Sequence, residues 1–334
     1  MWFFYKFAFK QHFSLIQNFI SMRLSFTFLL FFLFTSLSFG QEEKSVTILP
    51  KWKKGDQFSF NIKKIKIQEK KNGQKQKDSA VFVGKISVLE VSDSAIKSSY
   101  QTNYNFISQF GLGNEYFRNV DLNKSLEIIY SCDHEGAFEK IENWDAVEKE
   151  LSLAFKTLLD SFKKDKTYSA ENISSFEKVL NVMKTQNFLE KNVYSELQLI
   201  HFLMGIELTN KQEINYEEEL QNQFGSDPLR SEATLKVENI DFKNSEITVS
   251  QQKNLNKEDV NKFIISFFKK MNIQEDDFGK TLKDSKYEIS DHTHFLINYR
   301  IGIPEKITYK RSSEVFIANE NGSRIDEVLI ERIK

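Results

Sequence analysis

A single cysteine, Cys132, rules out any intrachain disulfide in a chain of 334 residues, so stability has to come from burial. Three prolines and twelve glycines are too few for a linker-rich or disordered chain. No repeat at a fixed period and no shift of composition divides the sequence. One sign of charge does not dominate either. Setting aside residues 1–40 removes Lys6, Lys10 and Arg23 and no acid, which turns 46 basic and 47 acidic residues into 43 against 47. The resulting net charge of −4, with both signs interspersed, supplies no basic footprint and excludes nucleic acid as a partner. After residue 40 there is no run of the roughly 20 apolar residues that a membrane-spanning helix needs.

Those first forty residues are read apart because Arg23, the apolar run from Phe26 to Phe34, and the small residues Ser38 and Gly40 follow the order of a secretory signal peptide. Cleavage is expected after Gly40. Met22 is the natural start of such a signal, which would place residues 1–21 upstream of the true start. The expectation is an exported protein, periplasmic or secreted, with residues 41–334 as a single domain.

What the chain does have is apolar periodicity of two kinds. Val147, Leu151, Phe155, Leu158 and Phe162 recur at helical spacing, as do Ile173, Phe176, Val179, Leu180 and Met183. A third set, Val193, Leu197, Ile200 and Met204, is joined by Leu199, Phe202 and Leu203, which makes that segment apolar around most of its circumference and so buried. Together they predict a helical block over 144–204. Asn143 is expected to cap its first helix, and Gly205 to close its last in the left-handed conformation.

On both sides of the block the pattern alternates like strand. Phe58, Phe60, Ile62, Ile65 and Ile67 alternate with one slip, which predicts a bulge near Lys63 and Lys64. Asn72-Gly73 suits a hairpin turn, while Gly111-Leu112-Gly113 lacks the third glycine of a phosphate loop. Further alternation runs over 80–107, 126–141, 213–250 and 287–333. It is interrupted by a fourth helix, capped by Asn256, with Val260, Phe263, Ile264, Phe267, Phe268 and Met271 on one stripe. The fold class expected is α+β: a curved antiparallel sheet, a half-barrel, wrapping a central helical block.

A Trp52-Lys53-Lys54-Gly55-Asp56 lead into long strands, midchain helices, and a strand, Gly302-Ile303-Pro304, strand ending resemble the uncharacterised secreted β-rich proteins of bacterial envelopes. The architecture is similar to the half-barrel of the lipoprotein-carrier (Lol-type) fold. That resemblance implies a sheltered apolar cavity, and lipid or another envelope protein as partner. It carries over no functional residue.

Three readings of function follow. In the first, a non-enzymatic exported protein holds an apolar ligand or protein segment between sheet and helices, with Phe263, Phe267 and Phe268 lining the cavity or acting as its lid. In the second the core is filled and the protein is a structural or interaction module. A third, a metal-dependent exported hydrolase, rests on His292 and His294, which lie two apart in a strand and project to one side. Its further ligands would have to come from His134, His201 or Asp284. No cofactor is expected. Cys132 beside His134 is read as a buried apolar residue, because no orienting acid or glycine-rich elbow supports a nucleophile. His201 is read as a satisfied core histidine.

Overall fold

A computed structural model describes residues 44–70, 73–103, 126–164, 169–220, 222, 227–270, 286–317 and 320–334. The expected signal segment, Asn72, the Gly111–Gly113 loop, Met271 and Asp284 lie outside the described residues. Lys44–Lys334 form one compact unit.

Thirteen strands are described: β1 Ser45–Thr47, β2 Gln57–Lys70, β3 Lys75–Val91, β4 Ala95–Thr102, β5 Ile128–Asp133, β6 Phe138–Ile141, β7 Glu207–Thr209, β8 Glu213–Leu220, β9 Leu229–Asp241, β10 Glu246–Leu255, β11 Lys286–Asn298, β12 Ile303–Ile317 and β13 Glu320–Ile333. The α-helices longer than one turn are α1 Trp144–Lys164, α2 Ala170–Met183, α3 Ser195–His201 and α4 Lys257–Lys270. Eleven strands form one antiparallel sheet in the order β6-β5-β4-β3-β2-β13-β12-β11-β10-β9-β8. It consists of two meanders joined at the middle, where the last strand of the chain pairs with its first long one.

The helical block packs on one face of this sheet. The helix predicted over 144–162 buries Val147, Leu151, Phe155, Leu158 and Phe162 as their spacing requires. The third segment departs from a continuous helix. A π-helical turn at Leu189–Val193 precedes α3, which is only seven residues long, and Gly205 follows at φ +77. His201 hydrogen-bonds Tyr130 on β5 at 3.1 Å, while the ring of its neighbour Phe202 stacks on Phe295 of β11 at 5.6 Å. In the sheet order those strands stand six spacings apart, about 29 Å if the sheet were flat. Side chains stand roughly perpendicular to a sheet, so the sheet has to bend around α3 to meet both.

The segment leading into β2 straps across one end of this packed unit. β1 pairs with β7, and the backbone of Ile48 bonds to Gly205 and Ile206. Gly302 sits at φ +66 beneath this strap, and a Cβ there would come within 2.3 Å of the Leu49 carbonyl oxygen. That close approach gives the glycine of the Gly-Ile-Pro turn its physical reason. Trp52, 4% exposed, ends the strap against Phe58 and His201.

Two expectations are corrected. The Asn143 side chain does not cap α1: its Oδ1 accepts from the Ile129 backbone N–H at 2.9 Å and its Nδ2 donates to Glu127, so it ties the chain to β5 instead. There is also no bulge at Lys63 and Lys64, because β2 keeps unbroken register with β3 and with β13 through both residues. The slip in alternation has another cause. Phe60 and Ile62 point to the core at 0% exposure, and from Lys64 onward the inward positions are Lys64, Lys66 and Gln68, while Ile65 and Ile67 take the outer face.

Candidate functional site

The change of the inward residues from apolar to polar extends across the sheet and divides its inner surface. In the half beneath the helices the inward residues are apolar: Phe60 and Ile62 on β2, Ile330 on β13, Ile307 on β12, Phe295 on β11, Val249 on β10 and Val237 on β9 belong to one buried cluster with α1 and α3. In the other half a row of charges crosses the strands. Glu218 of β8 bonds Lys253 of β10 at 2.8 Å. From there, residues directly opposite one another run Lys253, Asp291, Arg311, Asp326, Lys66 and Asp78, alternating in sign over six strands.

Burial decides which of these charges must be paired. Asp291, whose side chain is 4% exposed, takes Arg311 in a two-point fork at 2.7 and 2.8 Å. Asp326 is gripped by Arg324, Nε at 2.7 Å and Nη2 at 2.8 Å. Buried polar residues accompany the row, Ser231 at 2%, Thr293 at 1% and Gln251 at 7% exposure. Gln251 donates to the Tyr216 hydroxyl.

α4 lies at the far end of the row, on a second and smaller cluster. Leu229, Val260 and Tyr287 are its buried members, with Phe263, Ile264, Ile265, Leu220, Leu255 and Ile289 packed around them. Asn256 caps the helix as expected, its Oδ1 accepting from Glu258 and Asp259 at 3.0 and 3.2 Å. Asp259 then takes Arg230 in a fork at 2.7 and 2.9 Å, and Lys257 pairs with Glu288. The Arg230 hydrogen bond holds the Asp259 carboxyl down to about 2. Thus the first turn is fixed by polar contacts, whereas Phe263 and Phe267 further along are half-buried. The side chain of Phe268, the third residue expected to line a cavity, lies outside the described residues.

A second polar group is sealed between α3 and the sheet. Glu196 is fully buried; it accepts from Tyr100 at 3.0 Å and pairs with Lys64 at 2.9 Å. His201 donates Nδ1–H to the Gly136 carbonyl at 2.8 Å, which leaves Nε2 to accept from the Tyr130 hydroxyl. Burial lowers the imidazole to about 4. Cys132 Sγ stands 3.5 Å from Nδ1, so the cysteine meets His201 and not the adjacent His134, which is exposed in the β5–β6 turn. Burial pushes this thiol well above its ordinary range. A nucleophilic cysteine needs a thiolate beside an imidazolium, and here both partners are held neutral with no solvent path at 0 and 1% exposure.

His292 and His294 point outward from β11, away from Phe295 and Ile297, as their spacing predicts. The nearest acid to His294 is Glu238 at 3.7 Å. Among the described residues no three His, Cys, Asp or Glu side chains converge in a way that could hold a metal ion.

No family model matches this chain, and no curated protein does. Among solved structures it is similar to lipovitellin, described for its lipid–protein interactions, at 9% identity over 85% of this chain and 26% of that one, with a TM-score of 0.38. The chain therefore spans about a quarter of the length of that structure. It is also similar to an exported protein of YmcC-like fold from Bacteroides fragilis, at 10% identity over 86% of this chain and all of that one, with a TM-score of 0.23. No helix among the described residues is long and apolar enough to cross a membrane.

Proposed function

We propose that this is a non-enzymatic exported protein of the cell envelope that holds an amphiphile, a molecule with an apolar chain and a polar end, between α4 and the inner face of a half-barrel sheet. The observation that carries the reading is the change of the inner face from apolar to charged partway along its strands, beside a helix whose Phe263, Ile264 and Phe267 are half-buried. An apolar chain would lie against α4 and its cluster, and the polar end would meet the charged row. Wholly apolar ligands fit less well, because the purely apolar half of the sheet is occupied by the protein's own helices.

That same filling supports a second reading, an interaction module with no ligand. Ile62, Leu151, Leu158 and Ile247 all show 0% exposure in the main cluster. Native mass spectrometry and solvent extraction of protein purified from its own compartment separate the two. A co-purifying amphiphile at fixed stoichiometry supports the first. Protein that emerges clean and takes up no amphiphile on titration would leave the module.

A further inference from the structure

Resting on that reading, we propose that Lys66, Arg311 and Arg324 form a site for an anionic group at the open end of the charged row, so that the amphiphile held there is a carboxylate or phosphate ester and not a neutral lipid. The inference comes from which charges remain available once the ion pairs are made. Along the row, Lys253 is taken by Glu218, and Lys64, one inward position before Lys66, by the buried Glu196. Asp291 and Asp326 are each consumed by a fork from an arginine.

Each fork uses Nε and Nη2 and leaves the Nη1 amino group of Arg311 and of Arg324 with its protons for another acceptor. Lys66 is half-buried, opposite Asp326 and Asp78, yet neither carboxylate lies within ion-pair distance of its ammonium. Asp326 is turned to Arg324, and Asp78 accepts from Gln76 at 3.3 Å.

Geometry brings these three cations to one place. Lys66 and Arg311 both face Asp326, one from each side, and Arg324 lies two residues along β13 from Asp326 on the same face, opposite Gln68. Lys66 and Arg311 stand two strand spacings apart, about 10 Å, on either side of Asp326, and Arg324 is a diagonal neighbour of both, so the three long side chains can converge on one anion. The two forks are neutral in sum and Asp78 balances Lys66 across the register, so what the row offers an anion is not net charge but the uncommitted donors of Lys66, Arg311 and Arg324. The site is also reachable, with the Arg311 and Arg324 side chains 38 and 48% exposed. Gln68 and Gln76, in register across β2 and β3, add neutral donors.

Two fluorescent long-chain probes that differ only at the end, a carboxylate and the corresponding alcohol, test the site on the full chain. The carboxylate is expected to bind about tenfold more tightly, as one charge-assisted contact predicts. Its preference should shrink at high ionic strength and vanish in Lys66→Gln and in Lys66→Gln/Arg324→Gln, while Lys77→Gln on the outer face of β3 keeps it. Equal affinity for the two probes, or a preference untouched in both variants, would overturn the anion site while leaving amphiphile binding in place. If neither probe binds, the site falls together with the function it rests on. Circular dichroism of each variant guards against loss of folding.

Discussion

α3 and α4 dock on the same face of the same sheet, yet they are held in opposite ways. α3 is sunk in the main core, surrounded by residues of strands from both meanders, and carries two buried polar anchors, Glu196 and His201. α4 rests on a cluster of three buried residues and is fixed at its first turn by an exposed Lys257–Glu288 pair and by a buried Asp259 whose partner Arg230 is 54% exposed. Apolar burial stabilises by roughly 1.5 to 3 kcal/mol per large side chain, whereas exposed pairs contribute little. The difference teaches that α3 is part of the main core, whereas α4 is expected to open at lower cost, which is where the proposed amphiphile would exchange.

The sharpest way to break the comparison is to remove a large side chain from the main core. Phe155→Ala, at a site 2% exposed, is expected to lower unfolding stability by about 3 to 5 kcal/mol in denaturant titration. Phe263→Ala, on half-buried α4, should cost well under half of that. If the two losses are equal, α4 belongs to the core after all.

Next in size is the polar anchoring of α3. Glu196→Ala removes the carboxylate from Lys64, 24% exposed and left with only the Val193 carbonyl at 3.4 Å, and from the Tyr100 hydroxyl, and should cost about 3 kcal/mol. His201 gives a pH test of the same contact. Its folded value of about 4 lies below the ordinary 6.5, so the unfolded chain binds the proton more readily. The stability this group contributes is complete above about 6.5 and is lost as pH falls toward 4, on the order of 3 kcal/mol in all. Denaturant midpoints measured across that window should fall in the wild type and stay flatter in His201→Gln.

A smaller effect is expected at the first turn of α4. In Asp259→Asn the Arg230 fork is lost, and amide hydrogen exchange should accelerate several-fold in α4 while the amides of α1 stay unchanged. Uniform acceleration across both helices would erase the distinction. The smallest effect belongs to the outer face: His292→Ala and His294→Ala should each shift stability by less than about 0.5 kcal/mol and leave the metal content of the purified protein as it was. A drop in bound metal would revive the hydrolase reading.

Much of this arrangement is visible in the residues before any coordinates. The 3.6 period of Val147 to Phe162 gave α1 with the correct buried face, and the alternation of the flanks gave antiparallel strands. The slip after Ile62 was also visible, but a bulge and a change of face produce the same local pattern. Only the unbroken pairing of β2 with both neighbours separates them. Asn143 shows a similar limit, since a good capping residue can bond a strand backbone equally well once one lies within reach.

The sequence by itself determined what is set by local period and composition: that the flanks are strand around a helical middle, which side of α1 is apolar, and that no intrachain disulfide holds them. Tertiary structure alone decided that the first long strand lies beside the last, that Cys132 meets His201 across 69 positions, and that charges scattered from Lys66 to Asp326 form one row. The reason is physical. Periodicity records only which way a side chain points from its own segment, whereas pairing partners are chosen by closing loops and matching faces over the whole chain, and no short window of residues contains that choice.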